Sequence, residues 1–104
     1  MLNQVIVIGR LIETPILEYN QNERKVSIVT LAVPRYFKND EGLYDTDFIK
    51  CILYGTIAET TAEYYNKGDL LGIKGRLECL DGNLRIIAEK VTFLATNKNN
   101  KEEK

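Results

Sequence analysis

Two aromatic rings and one amine recur at even positions in the segment from residue 47 to residue 54. In a strand, successive side chains point to opposite faces. One face then holds Phe48, Lys50, Ile52 and Tyr54. The other is apolar after its first residue, with Ile49, Cys51 and Leu53 in a row. The pattern predicts a strand whose apolar row faces a core and whose two rings and amine face outward.

Outward rings on either side of an amine suit the binding of single-stranded nucleic acid. Bases stack on aromatic rings whatever their identity, at roughly 1–3 kcal/mol per base, and an ammonium between the rings meets the phosphate that joins successive nucleotides. A plainer interpretation, in which Phe48 and Tyr54 are ordinary core or edge aromatics, stays open on this pattern alone.

A second group of rings lies between Pro34 and Leu43. We predict a loop here, because proline lacks the N–H that would continue a strand ladder. In it Arg35 and Lys38 bracket Tyr36 and Phe37. These rings are either a hydrophobic anchor that holds the loop to the domain or a second stacking platform.

Charge is nearly balanced along the chain, with 14 Lys and Arg against 15 Asp and Glu and a formal net charge of −1. This balance excludes a protein that holds nucleic acid by bulk positive charge, so any such site must be locally patterned. Lys74 and Arg76 share one face of a later predicted strand. They either extend a positive track beside the rings or form an ordinary solvated face.

Residue types that perform catalysis or bind metals are scarce. Histidine is absent, and the one serine, Ser27, lies in a β-branched stretch with no imidazole to activate it. Cys51 and Cys79 form no CxxC pair, which suggests neither a disulfide framework nor a zinc site, and we expect both to be inert packing residues. We therefore expect no enzyme activity and no cofactor.

The 104 residues, 44% of them hydrophobic, suffice for one compact domain. Strand patterns cover Val5–Ile8, Arg24–Val33, Tyr44–Tyr54, Leu70–Glu78 and Asn83–Leu94. The first of these is apolar at every position, so we expect both of its faces to be covered.

The connections complete the predicted fold. Thr56-Ile57-Ala58-Glu59 is a capping-box pattern that predicts a helix to about Asn66, ended by Gly68. Asp81-Gly82 predicts a tight hairpin turn, because both residues tolerate positive φ. The order of elements predicts an all-β, five-stranded antiparallel OB-fold barrel with one short helix between strands 3 and 4. Residues 1–94 form this domain, and the polar segment from Ala95 to Lys104 is predicted to be a disordered tail.

Several ordered motifs resemble those of bacterial single-stranded DNA-binding proteins across residues 1–94. The chain opens Met1-Leu2-Asn3-Gln4-Val5-Ile6-Val7-Ile8-Gly9-Arg10-Leu11, as members of that family do. Thr30-Leu31-Ala32-Val33, Asp47-Phe48-Ile49-Lys50-Cys51, Lys67-Gly68 and Gly75-Arg76-Leu77 follow in order at family spacing. The resemblance implies an OB fold that binds and protects single-stranded DNA without sequence preference during DNA replication, recombination or repair.

The resemblance also implies which residues contact DNA. In that family, rings at the positions of Phe37, Phe48 and Tyr54 stack on bases, and a basic residue at the position of Lys50 lies between the last two. Arg10 matches a position that is often basic and near DNA, although a structural ion pair is an open alternative. The predicted set for single-stranded DNA is Arg10, Arg35, Phe37, Lys38, Phe48, Lys50, Tyr54, Lys74 and Arg76.

Family members are usually homotetramers, dimers of dimers, in which the first strand contributes to subunit contacts, and this agrees with the apolar run Val5–Ile8. Many end in an acidic tip with a terminal Pro-Phe that recruits other proteins. This chain ends in Asn99–Lys104 without such a tip, which argues against recruitment by that route. The connection at Asp81-Gly82 is short where the family often has a longer DNA-contacting loop, which implies less extensive wrapping of DNA.

Location follows from two absences in the sequence. No apolar run approaches the roughly 20 residues that span a bilayer, and the N-terminus lacks a signal-peptide pattern. We expect no membrane partner and a cytoplasmic, nucleoid-associated protein.

Two alternatives from other classes stay open. Net acidity favours an OB-fold module for protein interaction or oligomerisation, and OB aromatics also stack on single-stranded RNA. Titration with dT oligomers separates the first alternative from DNA coating, and comparison of DNA with RNA of equal length separates the second.

Overall fold

Five long strands, along which apolar and polar side chains alternate, close into a barrel. The computed structural model describes residues 1–97. Its elements are β1 (Val5–Leu11), β2 (Glu18–Tyr19), β3 (Lys25–Lys38), β4 (Tyr44–Tyr54), α1 (Thr56–Tyr64), β5 (Leu70–Leu80) and β6 (Asn83–Ala95). The sheet order is β1-β5-β6-β4-β3-β2, and an additional pairing of β1 with β3 closes the barrel. The predicted OB-fold barrel is confirmed.

The inward-facing side chains form one core. Val7, Leu11, Val29, Leu31, Cys51, Leu53, Leu71, Ile73, Ile86 and Ala88 are buried in it, together with Ala58 from α1. The apolar row predicted on the third long strand is therefore buried at Cys51 and Leu53, with Ile49 packed against it. Burial raises the pKa of the Cys51 thiol to about 12, so this cysteine is the inert packing residue that the sequence predicts. Cys79, in contrast, is exposed, so the expectation that it packs is wrong.

One pair of strands departs from the predicted antiparallel arrangement. β4 and β6 run parallel through Cys51↔Ile86 and Ile52↔Ile87, whereas the other pairings are antiparallel. The reason is parity. Strand direction cannot alternate all the way round a closed ring of five strands, so one neighbouring pair must point the same way.

The barrel closes tightly at two glycines. A Cβ built on Gly75 would lie 2.1 Å from the carbonyl oxygen of Ile87, and one on Gly9 would lie 2.7 Å from that of Ala32. Both contacts are to backbone, which cannot move aside as a flexible side chain does. A side chain at either position would therefore push neighbouring strands apart.

The predicted loop from Pro34 to Leu43 is mostly strand, which corrects the sequence prediction. β3 continues to Lys38, with Pro34 paired to Thr46 and an irregularity before Lys38↔Tyr44. Beyond Ala32, β3 pairs with β4 alone, so this part of it is an edge, where proline is tolerated. Residues 33–47 therefore form a two-stranded extension, called here the hairpin arm.

The predicted helix boundaries also need correction. Gly55, at φ 65°, is the N-cap of α1, and no side chain caps it, so Thr56 is the first helical residue rather than the cap of a capping box. The helix ends at Tyr64. Gly68 does have positive φ, but it lies in the turn after the helix, where its N–H donates to the carbonyl of Leu11.

The turn predicted at Asp81-Gly82 is confirmed, because both residues have positive φ and join β5 directly to β6. β6 extends to Ala95, and the backbone N–H of Asn97 donates to the Asp69 carboxylate at 3.2 Å. The strand thus includes Ala95, the first residue of the predicted tail. The rest of that prediction, residues 98–104, lies outside the described residues. Within residues 1–97 no helix has the length and apolar character to cross a membrane.

The close approach at Gly75 gives a test of barrel closure. We expect Gly75→Ala to lower the free energy of unfolding by about 1–3 kcal/mol or more, since the backbone of β6 must shift. Urea denaturation measures this change. Gly72→Ala is the matched control on the same strand, because its Cβ would meet only ordinary contacts of 3.7 Å and beyond. Equal stability of the two variants would contradict the steric account.

Candidate nucleic-acid interface

The outward side chains of β3 and β4 form one surface, called here the β3–β4 face. Its members pair across the two strands as Ala32↔Phe48, Thr30↔Lys50, Ile28↔Ile52 and Val26↔Tyr54. Phe48 is 66% exposed. Its cross-strand neighbour Ala32 has only a methyl group, which covers little of a ring. The structure therefore leaves a ring face at Phe48 open to solvent, and the core interpretation of this residue is wrong.

Lys50 lies two residues from Phe48 on the same face and is exposed. It makes no ion pair within residues 1–97. A ring and an unpaired ammonium therefore lie next to each other, which is the combination that binds a base together with its phosphate.

Tyr54 is separated from this pair. Ile52 lies between Lys50 and Tyr54, and only 7% of it is exposed, beside Ile87 of β6. Six residues of strand place Phe48 and Tyr54 about 20 Å apart. The two rings are thus separate positions along the face rather than the two sides of one clamp.

Tyr54 also has a cationic neighbour that the sequence pattern did not indicate. The guanidinium carbon of Arg24 lies 4.3 Å from the centre of the Tyr54 ring, within the range of a cation–π contact. Tyr54 is partly buried. Arg24 precedes β3 by one residue and lies outside the alternating pattern of the strand. Its contact with Tyr54 is therefore visible only in the three-dimensional structure.

The hairpin arm carries more rings. Tyr36 and Phe37 are exposed and meet edge to face at 5.2 Å between ring centres. Tyr36 is 93% exposed, so the anchoring interpretation fails for this ring, whereas Phe37 is 51% exposed and presents about half of its surface to solvent. The Lys38 ammonium lies 5.7 Å from the centre of the Tyr44 ring. Tyr44 was not among the predicted site residues.

Arg35, in contrast, is held by carboxylates. Its Nε and Nη2 donate to Asp47 at 3.1 and 3.0 Å, and Nη1 lies 3.9 Å from Asp45. Hydrogen bonds from Arg35 lower the pKa of Asp47. Because Asp47 and Phe48 are consecutive in β4, their side chains leave on opposite sides. Arg35 is therefore on the other side of the hairpin arm from the Phe48 ring.

The remaining predicted cations are spread around the barrel. Arg10 donates to the carbonyl of Gly68 at 2.9 Å, which is a structural contact but not an ion pair. The Arg76 guanidinium forms ion pairs with the carboxylates of Glu78, at 2.7 Å, and Glu89, at 3.6 Å. Arg76 is the cross-strand partner of Ile87, at the border of the β3–β4 face.

Lys74 lies between Ile6 of β1 and Lys90 of β6, away from β3 and β4. The structure therefore does not place it beside the rings.

A cleft of about 530 Å³ opens next to Phe48 and Lys50. Its apolar lining comes from the open end of the barrel, including Val5 and Ile86, and from Leu77 and Leu84 on the β5–β6 hairpin. Arg85 lies at this cleft as a second cation that sequence reasoning missed.

Two observations within residues 1–97 concern nucleophilic and metal-binding groups. Ser27 is fully buried in the barrel wall, out of reach of any substrate. No group of three or more Cys, Asp or Glu residues in this part of the chain is arranged to hold a metal ion.

An OB barrel with exposed rings and amines along one face defines a class of proteins that bind single-stranded nucleic acid. The model of the Single-strand binding protein family matches residues 2–94. The chain belongs to this family, and membership agrees with the expectation of a binding protein rather than an enzyme.

Named relatives share this relationship. The chain is 42% identical to a single-stranded DNA-binding protein of Bacillus cereus over 103 residues, which cover 90% of this chain and 61% of that protein. It is 45% identical to single-stranded DNA-binding protein B of Bacillus subtilis over 78 residues, which cover 75% and 69% of the two chains.

A solved structure agrees with these matches. A deletion mutant of the single-stranded DNA-binding protein from Thermus aquaticus has a TM-score of 0.74 at 31% identity, and the match covers 92% of this chain and 42% of that one. The chain thus spans about three fifths of the Bacillus cereus relative and under half of the Thermus aquaticus chain.

Proposed function

We propose that this chain binds single-stranded DNA without sequence preference and protects it during DNA replication, recombination or repair. The observation that carries the proposal is the open Phe48 ring beside the unpaired Lys50 on the β3–β4 face. The named relatives are single-stranded DNA-binding proteins, and their relationship to this chain supports the same ligand. Such a protein acts where unpaired DNA forms, at the nucleoid in the cytoplasm of a bacterial cell.

The chemistry needs no reacting group. A base stacks on Phe48, the Lys50 ammonium neutralises the adjoining phosphate, and the strand continues toward Tyr54 with Arg24 over its ring. Stacking tolerates any base, because every base has a π-face, so sequence preference is weak. The few unpaired cations near the rings supply the salt-dependent part of affinity.

The proposal includes assembly into a homotetramer through β1. Ile6 and Ile8 point outward from β1 and are 66% and 53% exposed, whereas Val7 between them is buried in the core. The sequence predicts that both faces of this strand are covered, and a single chain covers only one. Neighbouring subunits that pack on Ile6 and Ile8 would cover the other.

Replacement of the Phe48 ring tests the stacking. We expect Phe48→Ala to weaken binding of a dT oligomer by about 1–3 kcal/mol, measured by fluorescence anisotropy of labelled DNA. Tyr64→Ala is a matched control, since Tyr64 is 65% exposed but lies on α1. If both variants bind like the parent, Phe48 is not a stacking residue, and if the parent does not bind, the proposed function is wrong.

The charge of Lys50 has a separate signature. We expect Lys50→Gln to reduce the slope of log affinity against log salt concentration by about 0.7, the value for one phosphate contact on a single strand. Titrations at several salt concentrations measure the slope. Lys50→Arg keeps the charge and should keep the slope; an unchanged slope in the glutamine variant would place Lys50 off the DNA path.

Assembly is tested by mass. We expect the parent to have the mass of a tetramer by light scattering, and Ile6→Thr with Ile8→Thr to lower that mass while retaining the strand preference of β-branched residues. Ile16→Thr is the control, because Ile16 is 67% exposed but lies outside the strands. A monomeric parent would overturn the tetramer and leave the β3–β4 face as a site on a single barrel.

A further inference from the structure

Tyr44 begins β4 at the far end of the hairpin arm, and the proposed function does not use it. It is 56% exposed. β4 runs from Tyr44 to Tyr54 as one strand, and the irregularity in the arm lies on β3, between Pro34 and Lys38. Alternation along β4 therefore places Tyr44, two pairs of residues before Phe48, on the same face as Phe48 and Lys50.

The Tyr44 ring has its own amine. Lys38 is its cross-strand partner, and the Lys38 ammonium lies 5.7 Å from the ring centre. Lys38 makes no ion pair within residues 1–97, whereas Arg35 in the same arm is bound to Asp47 and Asp45. The arm thus presents a ring with an unpaired cation on the side of Phe48, and its acid-bound arginine on the other side.

Distance makes Tyr44 a separate position. Four residues of strand separate Tyr44 from Phe48 by about 13 Å. Phe48 with Lys50 and Tyr44 with Lys38 are therefore two similar units, each a ring beside an ammonium, with their rings spaced along β4. Tyr44 and Phe48 are 56% and 66% exposed and Lys38 is exposed, so both units are accessible from solvent.

We propose that Tyr44 and Lys38 form a further subsite for single-stranded DNA, in which a base stacks on Tyr44 and its phosphate meets Lys38. This inference rests on the proposed function and extends the DNA path from the barrel onto the hairpin arm. A short oligomer fills the subsite at Phe48 and Lys50, and only a longer one reaches Tyr44. Affinity therefore rises when the oligomer becomes long enough to span both rings.

The test compares Tyr44→Ala with the parent on dT oligomers of increasing length. We expect the variant to bind long oligomers about five- to a hundredfold more weakly and the short oligomers equally well. Tyr44→Phe keeps the ring and should bind like the parent at every length. A merely structural role for Tyr44 would weaken binding at every length, and that result would overturn the inference.

Two further measurements separate the possible failures. Lys38→Gln should reduce the salt slope for long oligomers and leave it unchanged for short ones. If the parent binds and Phe48→Ala weakens binding while Tyr44→Ala matches the parent at all lengths, the subsite is wrong and the proposed function stands. If the parent does not bind dT oligomers at all, the proposed function fails and the subsite with it.

Discussion

The pairing of β3 with β4 keeps one register from Val26↔Tyr54 to Pro34↔Thr46, and both the core and the candidate site depend on it. In this register Leu53 is buried and Phe48 is open. A slip of one residue would turn every side chain of one strand to the opposite face. Lys50 would then point into the barrel at a high desolvation cost. The free energy that buries the inner row therefore also fixes the rings and amine on the outer one.

Carboxylates explain how a chain of net charge −1 can present a cationic surface. Arg35 and Arg76 are each bound to acidic neighbours, and Lys25 is paired with Glu59. Lys38 and Lys50 have no such partner within the described residues. Ion pairs therefore neutralise Arg35 and Arg76 and leave the ammonium groups beside Tyr44 and Phe48 unpaired, so the local charge at the rings differs from the net charge of the chain.

Alternation in the sequence predicted the inner and outer rows of β4, and residues that tolerate positive φ predicted the turn at Asp81-Gly82, because both patterns follow from local backbone geometry. The sequence prediction ended its second strand too early, before Pro34, whereas β3 continues to Lys38. Proline is excluded from a strand only where its missing N–H would face a partner strand. The sequence prediction also missed the contact of Arg24 with Tyr54, which depends on tertiary structure. Tyr44 escaped notice because the expected loop at 34–43 concealed the long hairpin arm.

The parallel contact between β4 and β6 has a consequence for synthesis of the chain. β6 is the last described strand to leave the ribosome, and until it arrives one edge of β4 and the apolar Ile52 lack their neighbours. Contacts between distant parts of a sequence form slowly, and open strand edges are prone to aggregation. The nascent protein therefore cannot complete its barrel during translation of the first five strands.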